Sequence, residues 1–138
     1  MHEILFRGKR LDNREWVEGF LYVTHAGEYE IGSYHAETNI ERWTSVVSPS
    51  TVGQYTGLKD KAGKRIFEGD VLRWTGQDGE SGKVAVMFAG AAFCLQSVEC
   101  PRSAPDLFED FEIGDQTLEV IGNVTDNPDL LEGGAANA

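Results

Sequence analysis

Alternating apolar and polar positions recur along the chain, and this period of two predicts β-strands rather than helices. The clearest case is the segment over residues 15–24, EWVEGFLYVT, which is dense in β-branched and aromatic residues. Within it, Trp16, Glu18, Phe20 and Tyr22 share one face, and the intervening residues share the other. The segment is therefore predicted to be a strand with both faces partly covered.

Shorter runs of the same kind predict a chain of many strands separated by turns. Strands are predicted over 28–34, near 43–47, over 51–56, along an alternating run over 65–74, and over 83–88, 92–96 and 118–122. Residues 8–14 read as a polar turn, and 59–64 as a charged turn tip exposed to water. Asp106–Phe111 is predicted to form a short helical turn, and Asn127-Pro128 carries the cap and proline typical of a helix start.

The order of these elements predicts a mainly β fold. Glu68-Gly69-Asp70, an alternating run, a loop and two strands joined by a small-residue turn are typical of small SH3-like barrels, whose bent strands need glycine at the corners. We expect an N-terminal β meander packed on a small SH3-like barrel, with one or two short helical turns near the C-terminus. The predicted division is a β subdomain over 1–56, a barrel subdomain over 57–132 and a flexible tail over 133–138; one single domain is the alternative.

Charge is unevenly distributed along the chain. The net charge is −11, yet the segment from Pro105 onward holds 9 acidic residues and no Lys or Arg, while the rest is nearly neutral. This acidic C-terminal segment repels phosphate backbones and anionic lipid. It is either a solvated face or a surface that attracts a basic partner. No apolar run approaches the roughly 20 residues of a membrane span, and the N-terminus lacks a signal-peptide pattern.

Cysteine and histidine offer little chemistry. Cys94 and Cys100 are by default expected to be two free thiols, because their spacing fits neither a metal-binding pair nor a disulfide framework, and a Cys94–Cys100 bond is the alternative. Cys94 also lies between apolar neighbours in a predicted strand, which is a poor setting for a nucleophile. His2, His25 and His35 are isolated from one another and from cysteine pairs, so a metal site is disfavoured.

Two segments resemble catalytic or nucleotide-binding motifs only in part. Residues 57–65, GLKDKAGKR, have five residues between the glycines and Arg65 where a phosphate loop needs a hydroxyl, so a hairpin tip is favoured. Glu68 and Asp70 could act as paired carboxylates in acid–base catalysis. The favoured interpretation is that they shape a corner, with Asp70 accepting backbone N–H bonds.

Several aromatic rings could form a binding patch or belong to the core, and the core is favoured for a chain of this size. The rings in question are Tyr55, Trp43, Trp74 and Phe93. The possible interaction surface that the sequence indicates comprises Tyr55, Glu68, Asp70 and Trp74.

Four blocks of sequence resemble the YopX family of phage and prophage proteins, over about residues 3–131. The blocks are EILFRGKR with DN and EWVEG (residues 3–19), TVGQYTGL (51–58), DK, GK and IFEGDV (60–71), and VIGN with DNP and LL (120–131). Ala62 departs from the asparagine that the family more often places before the turn glycine. The departure predicts a longer loop in which Gly63 alone takes a positive φ.

The resemblance implies a β-dominated accessory protein of temperate phages, located in the bacterial cytoplasm, and carries over no catalytic residue, cofactor or metal. We therefore expect a non-catalytic module that binds a host or phage protein. One alternative is a nucleic-acid-binding or DNA-mimicking barrel, with a local basic patch at Lys59, Lys61, Lys64 and Arg65, although the net charge disfavours it. A second alternative is a hydrolase that uses Glu68 and Asp70. No membrane association is expected, and a homo-oligomer remains open.

Overall fold

The computed structural model describes residues 3–32, 43–100, 102, 106–107 and 117–132 of the 138-residue chain. Over this part of the chain the structure is mainly β, as predicted, and its helical content is limited to two short 3-10 turns. The strands are β1 (Phe6–Lys9), β2 (Trp16–Val23), β3 (Tyr29–Gly32), β4 (Thr44–Val46), β5 (Gly53–Lys59), β6 (Arg65–Phe67), β7 (Asp70–Thr75), β8 (Ser81–Ala89), β9 (Ala92–Ser97), β10 (Asp106–Leu107) and β11 (Thr117–Asn123). The 3-10 turns are Pro49–Thr51 and Pro128–Glu132, and the second confirms the helix start predicted at Asn127-Pro128.

The chain divides into two compact units, Met1–Gly57 and Leu58–Ala138, called unit 1 and unit 2 below. The strands form two antiparallel sheets, ordered β4-β3-β2-β1-β5-β6 and β10-β9-β8-β7-β11. Strands β1 to β4 are neighbours in sequence order, which is the predicted N-terminal meander. Independent folding of subdomains stays a prediction.

Unit 1 is arranged around strand β2. Its register pairs Trp16 with Lys9 of β1 and Tyr22 with Glu30 of β3. Strand β1 extends through Gly8 and Lys9, which the sequence had assigned to a polar turn. The chain continues as a strand at Gly8 because its backbone packs tightly against buried side chains there. A Cβ at this position would lie only 3.0 Å from Val47 Cγ2.

Unit 2 contains a core cluster of fully buried aliphatic side chains. The cluster consists of Ile66, Leu72, Val84, Val86 and Leu95. Among the described strands the pairing runs in open order from β10 to β11, with a bulge in β11 between Val120 and Gly122. The SH3-like closure of this sheet stays a prediction.

The predicted helical turn over Asp106–Phe111 is wrong at its first two residues. Asp106 and Leu107 form β10 and pair with Leu95 and Cys94 of β9. A segment of six residues is too short to hold a helix by itself, whereas the edge of β9 offers backbone groups that need partners. Residues 108–111 lie outside the described residues.

The two thiols lie in different surroundings. Cys94 is buried in β9 and Cys100 is exposed, and neither is in a disulfide, which agrees with the default expected from their spacing.

Candidate functional site

The corner Glu68-Gly69-Asp70 joins β6 to β7 and is built from its own polar atoms. The Asp70 side chain is only 1% exposed, and its Oδ2 accepts the backbone N–H of Phe67 at 2.7 Å. Gly69 donates its N–H to the carbonyl of Val86, and its carbonyl accepts the N–H of Val124. The predicted corner, with Asp70 as an acceptor for backbone N–H groups, is confirmed.

This geometry bears on the paired-carboxylate hypothesis. Asp70 is buried and engaged with the backbone, while Glu68 is half-buried in the turn that precedes it. A general acid or base must come within hydrogen-bond reach of a substrate atom, and a carboxylate buried in this way is better placed to stabilise the corner. Among the described residues, no group of three or more His, Cys, Asp or Glu is arranged to hold a metal ion. His25 is exposed in a turn, and His2 and His35 lie outside the described residues.

The two aromatic residues of the predicted surface belong to different units. Tyr55 lies in β5 within unit 1, is 4% exposed, and donates its backbone N–H to the carbonyl of Leu5 at 2.7 Å. Trp74 lies in β7, four residues beyond Asp70, and packs half-buried against the core cluster of unit 2. A Cβ at Gly82 would lie 2.7 Å from Trp74 Nε1, so the ring rests directly on the backbone of β8. Both rings are occupied chiefly in packing, and a partner contact for the predicted surface stays a prediction.

The turn between β5 and β6 is organised by Asp60, a residue whose role the sequence did not indicate. Asp60 Oδ1 accepts the N–H groups of Ala62 and Lys64 at 2.9 and 2.8 Å, and Oδ2 accepts that of Val120 in β11 at 3.0 Å. Gly63 has a φ of +85°, and Ala62 is not among the residues with positive φ, as predicted. The Asp60 carboxylate therefore accepts loop N–H groups of the kind that bind phosphate in a phosphate loop.

The charge of Asp60 is stabilised by these bonds. Burial alone would raise the pKa of this carboxyl, but the N–H groups of Val120, Lys64 and Ala62, together with the charge of Lys64, outweigh burial and hold the pKa below its usual range. The backbone N–H of Lys61 also donates to the carbonyl of Leu118, so the turn caps the outer edge of β11.

The last motif block forms a second internally bonded loop. Asn123 Oδ1 accepts the N–H groups of Thr125 and Asp126, and Asn127 Oδ1 accepts the N–H of Asn123. A Cβ at Gly122 would lie 2.6 Å from Asn127 Oδ1, so only glycine leaves room for this loop to approach β11. The Asn-rich motif is thus a structural device for the end of the strand.

Exposed aromatic side chains occur in both units: Phe88 of unit 2 is 52% exposed, and unit 1 carries a row of such residues on strand β2. We call the surface formed by Trp16, Glu18, Phe20 and Tyr22 the β2 outer face. Phe20 and Tyr22 are 44% and 39% exposed, Glu18 is exposed, and Trp16 is half-buried. The strand register confirms the prediction that these four side chains lie on one face of β2. The signal that could have marked the face as exposed is Glu18, because a charged residue in the centre of an aromatic row needs solvent.

The aromatic side chains of this face are held in place by neighbouring strands. Arg7 Cζ and Lys9 Nζ lie 4.7 and 5.6 Å from the centroid of the Trp16 ring, within range for cation–π attraction. The Tyr22 ring lies over Gly32 of β3, since a Cβ there would be 3.2 Å from Tyr22 Cε2. Fixed rings lose little conformational freedom on contact with a partner, which favours binding.

The fold and these surfaces define a β protein of two antiparallel sheets, whose motif residues bond internally and whose exposed aromatic residues include a row on one strand. The chain belongs to the YopX family: the model described as YopX protein matches residues 5–132.

Two solved structures share the fold. Protein EF1440 from Enterococcus faecalis is 22% identical, with a TM-score of 0.57 over 96% of this chain and 100% of that one. Protein yopX from Bacillus subtilis is 19% identical, with a TM-score of 0.56 over 91% of this chain and 96% of that one. No curated protein matches this chain. Among the described residues, no helix is long and apolar enough to cross a membrane.

Proposed function

We propose that this chain is a non-catalytic protein-interaction module and that the β2 outer face is its contact surface. The observation that carries the proposal is the exposure of Phe20 and Tyr22 on one face of a paired strand. Large aromatic side chains are enriched at the energetic centres of protein interfaces, because they bury much apolar area from few positions.

Charged residues lie within and beside the aromatic row. Glu18 lies within the row and opposite Arg7 in the register, and Glu30 lies opposite Tyr22. At transient protein interfaces such charges set the orientation of the partner, while aromatic side chains supply affinity. This arrangement suits a protein partner better than a phosphate backbone, which would need an excess of positive charge.

The cellular setting that we propose follows the family. The resemblance of the four motif blocks implies an accessory protein of a temperate phage or prophage, acting in the bacterial cytoplasm on a host or phage protein. Nucleic-acid binding and hydrolysis by Glu68 and Asp70 are weaker candidates. The second would require Asp70, which is 1% exposed, to leave its bond with Phe67.

A comparison of paired variants tests this function. The tagged wild-type chain is used to capture proteins from bacterial lysate, beside the double variant F20A/Y22A and the control V23A. Val23 is 58% exposed on the same strand but on its other face, so the control removes exposed apolar area elsewhere. We expect the wild type and V23A to retain a stoichiometric partner protein, and we expect F20A/Y22A to lose it. Failure of the wild type to retain a stoichiometric protein, or equal retention by all three, would contradict the proposal.

A further inference from the structure

The tip of the β5–β6 hairpin concentrates positive charge in an otherwise acidic chain. Four of the 12 Lys and Arg residues lie within the seven positions 59–65, whereas the whole chain has 23 acidic residues. The four side chains of this basic tip are all exposed: Lys59, Lys61, Lys64 and Arg65. A cluster of this kind creates a local positive potential, because at physiological ionic strength charges beyond about 8 Å are largely screened.

The backbone beneath the basic tip is fixed in position. The Asp60 carboxylate binds the N–H groups of Ala62 and Lys64 within the turn and that of Val120 in β11. The backbone N–H of Lys61 donates to Leu118 as well. These bonds leave the lysine side chains outside the turn, so the tip presents its charges from a preorganised support.

From this arrangement we infer that the basic tip is a docking element for a short acidic segment of a protein. It uses none of the residues of the β2 outer face, so the inference goes beyond the proposed function. The carboxylates of Asp and Glu side chains would pair with the lysine ammonium groups at the tip. A short segment fits best, because a partner that extended beyond the tip would meet the repulsion of a chain whose net charge is −11.

One feature favours a carboxylate-bearing peptide over a nucleic acid. Positions 59–65 contain no aromatic residue, whereas sites for single strands combine positive charge with aromatic rings on which bases stack.

Binding of defined probes to the full chain tests the inference. The probes are a fluorescein-labelled oligoglutamate peptide and an oligothymidine strand of equal charge, measured by fluorescence anisotropy at low and at physiological salt. The variants are K61E and the control R102E, which make the same charge change at two exposed positions. K61E retains the backbone N–H that bonds to Leu118, and K61Q serves as a milder second variant.

We expect oligoglutamate to bind the wild type and to be weakened about tenfold by K61E but less than about twofold by R102E. We also expect oligothymidine to bind more weakly than oligoglutamate. The inference is overturned if oligoglutamate does not bind at low salt, or if both charge reversals weaken it equally. Tighter binding of oligothymidine would overturn it in favour of a nucleic acid. None of these results depends on Phe20 or Tyr22, so the β2 outer face is tested separately.

Discussion

The motif-bearing turns of unit 2 and the β2 outer face of unit 1 use their side chains in opposite ways. In unit 2, Asp60, Asp70 and Asn123 direct their oxygens to backbone N–H groups of the protein itself. In unit 1, Phe20 and Tyr22 project into solvent from a strand that is paired on both sides. The difference indicates that Asp60, Asp70 and Asn123 maintain the fold, whereas Phe20 and Tyr22 are the side chains that we propose for binding.

The largest effect on stability is expected at the corner of unit 2. Replacing Asp70 by alanine removes the acceptor for the Phe67 N–H in a buried site, and an unsatisfied buried donor together with the lost volume costs about 3 kcal/mol. Denaturant unfolding of D70A measures this loss. The matched control D78A removes an exposed carboxylate from the β7–β8 loop and should change the free energy of unfolding by less than about 0.5 kcal/mol. Equal stability of the two variants would show that Asp70 is not needed for the corner.

A steric change at the end of β11 should have the next largest effect. In G122A the added Cβ would meet Asn127 Oδ1 at 2.6 Å and Leu130 Cδ1 at 2.7 Å, so the loop must move, at a cost of about 2 kcal/mol. Thermal unfolding would show a lowered midpoint. G79A is the control, because a Cβ at Gly79 meets nothing within 4 Å, although its φ of +83° carries a backbone cost of its own. A smaller loss in G122A than in G79A would contradict the close packing described for this loop.

A smaller effect, and one that depends on pH, is expected at Asp60. Because the folded pKa is lowered, the ionised carboxylate stabilises the protein above the unfolded pKa of about 3.9, and this contribution is lost as pH falls through the folded pKa. The variant D60N lacks the ionisation, so its deficit of about 1 kcal/mol at neutral pH should shrink as the solution becomes strongly acidic. Unfolding curves from pH 7 to about pH 2 measure both chains. A deficit that is the same at every pH would show that the charge of Asp60 contributes nothing.

The smallest effect on stability is expected at the β2 outer face. F20A/Y22A truncates two exposed rings and should lower the free energy of unfolding by no more than about 1 kcal/mol, part of it from lost contact between Tyr22 and Gly32. Circular dichroism and denaturant unfolding should therefore show that the double variant is folded. If the double variant fails to fold, Phe20 and Tyr22 are needed for the core and are not simply an interaction surface.

Much of the fold could be predicted from local patterns. The alternation in EWVEGFLYVT predicted both the strand and its faces, and the sequence Glu68-Gly69-Asp70 predicted the corner and the role of Asp70, because these features depend on neighbouring residues. Strand β10 could not be predicted in this way. Its two residues form a strand because β9, which precedes them in the chain, offers an edge for pairing, and their own local pattern does not indicate this.

The candidate site was harder to predict for a related reason. Tyr55 and Phe20 are both aromatic residues in alternating strands, yet Tyr55 is 4% exposed and Phe20 is 44% exposed. Which face of a strand is covered depends on packing between distant segments, and alternation alone does not distinguish the covered face from the open one. The role of Asp60 likewise depends on Val120, which is 60 residues away.

The most direct test of the central claim is photo-crosslinking from the β2 outer face. A photoreactive phenylalanine analogue is placed at position 20 and, in a second protein, at position 23 on the other face of the same strand, and both are irradiated in bacterial lysate. We expect a light-dependent adduct with one defined protein from position 20 and none from position 23. Adducts from both positions alike, or from neither, would contradict the assignment of the β2 outer face as the contact surface.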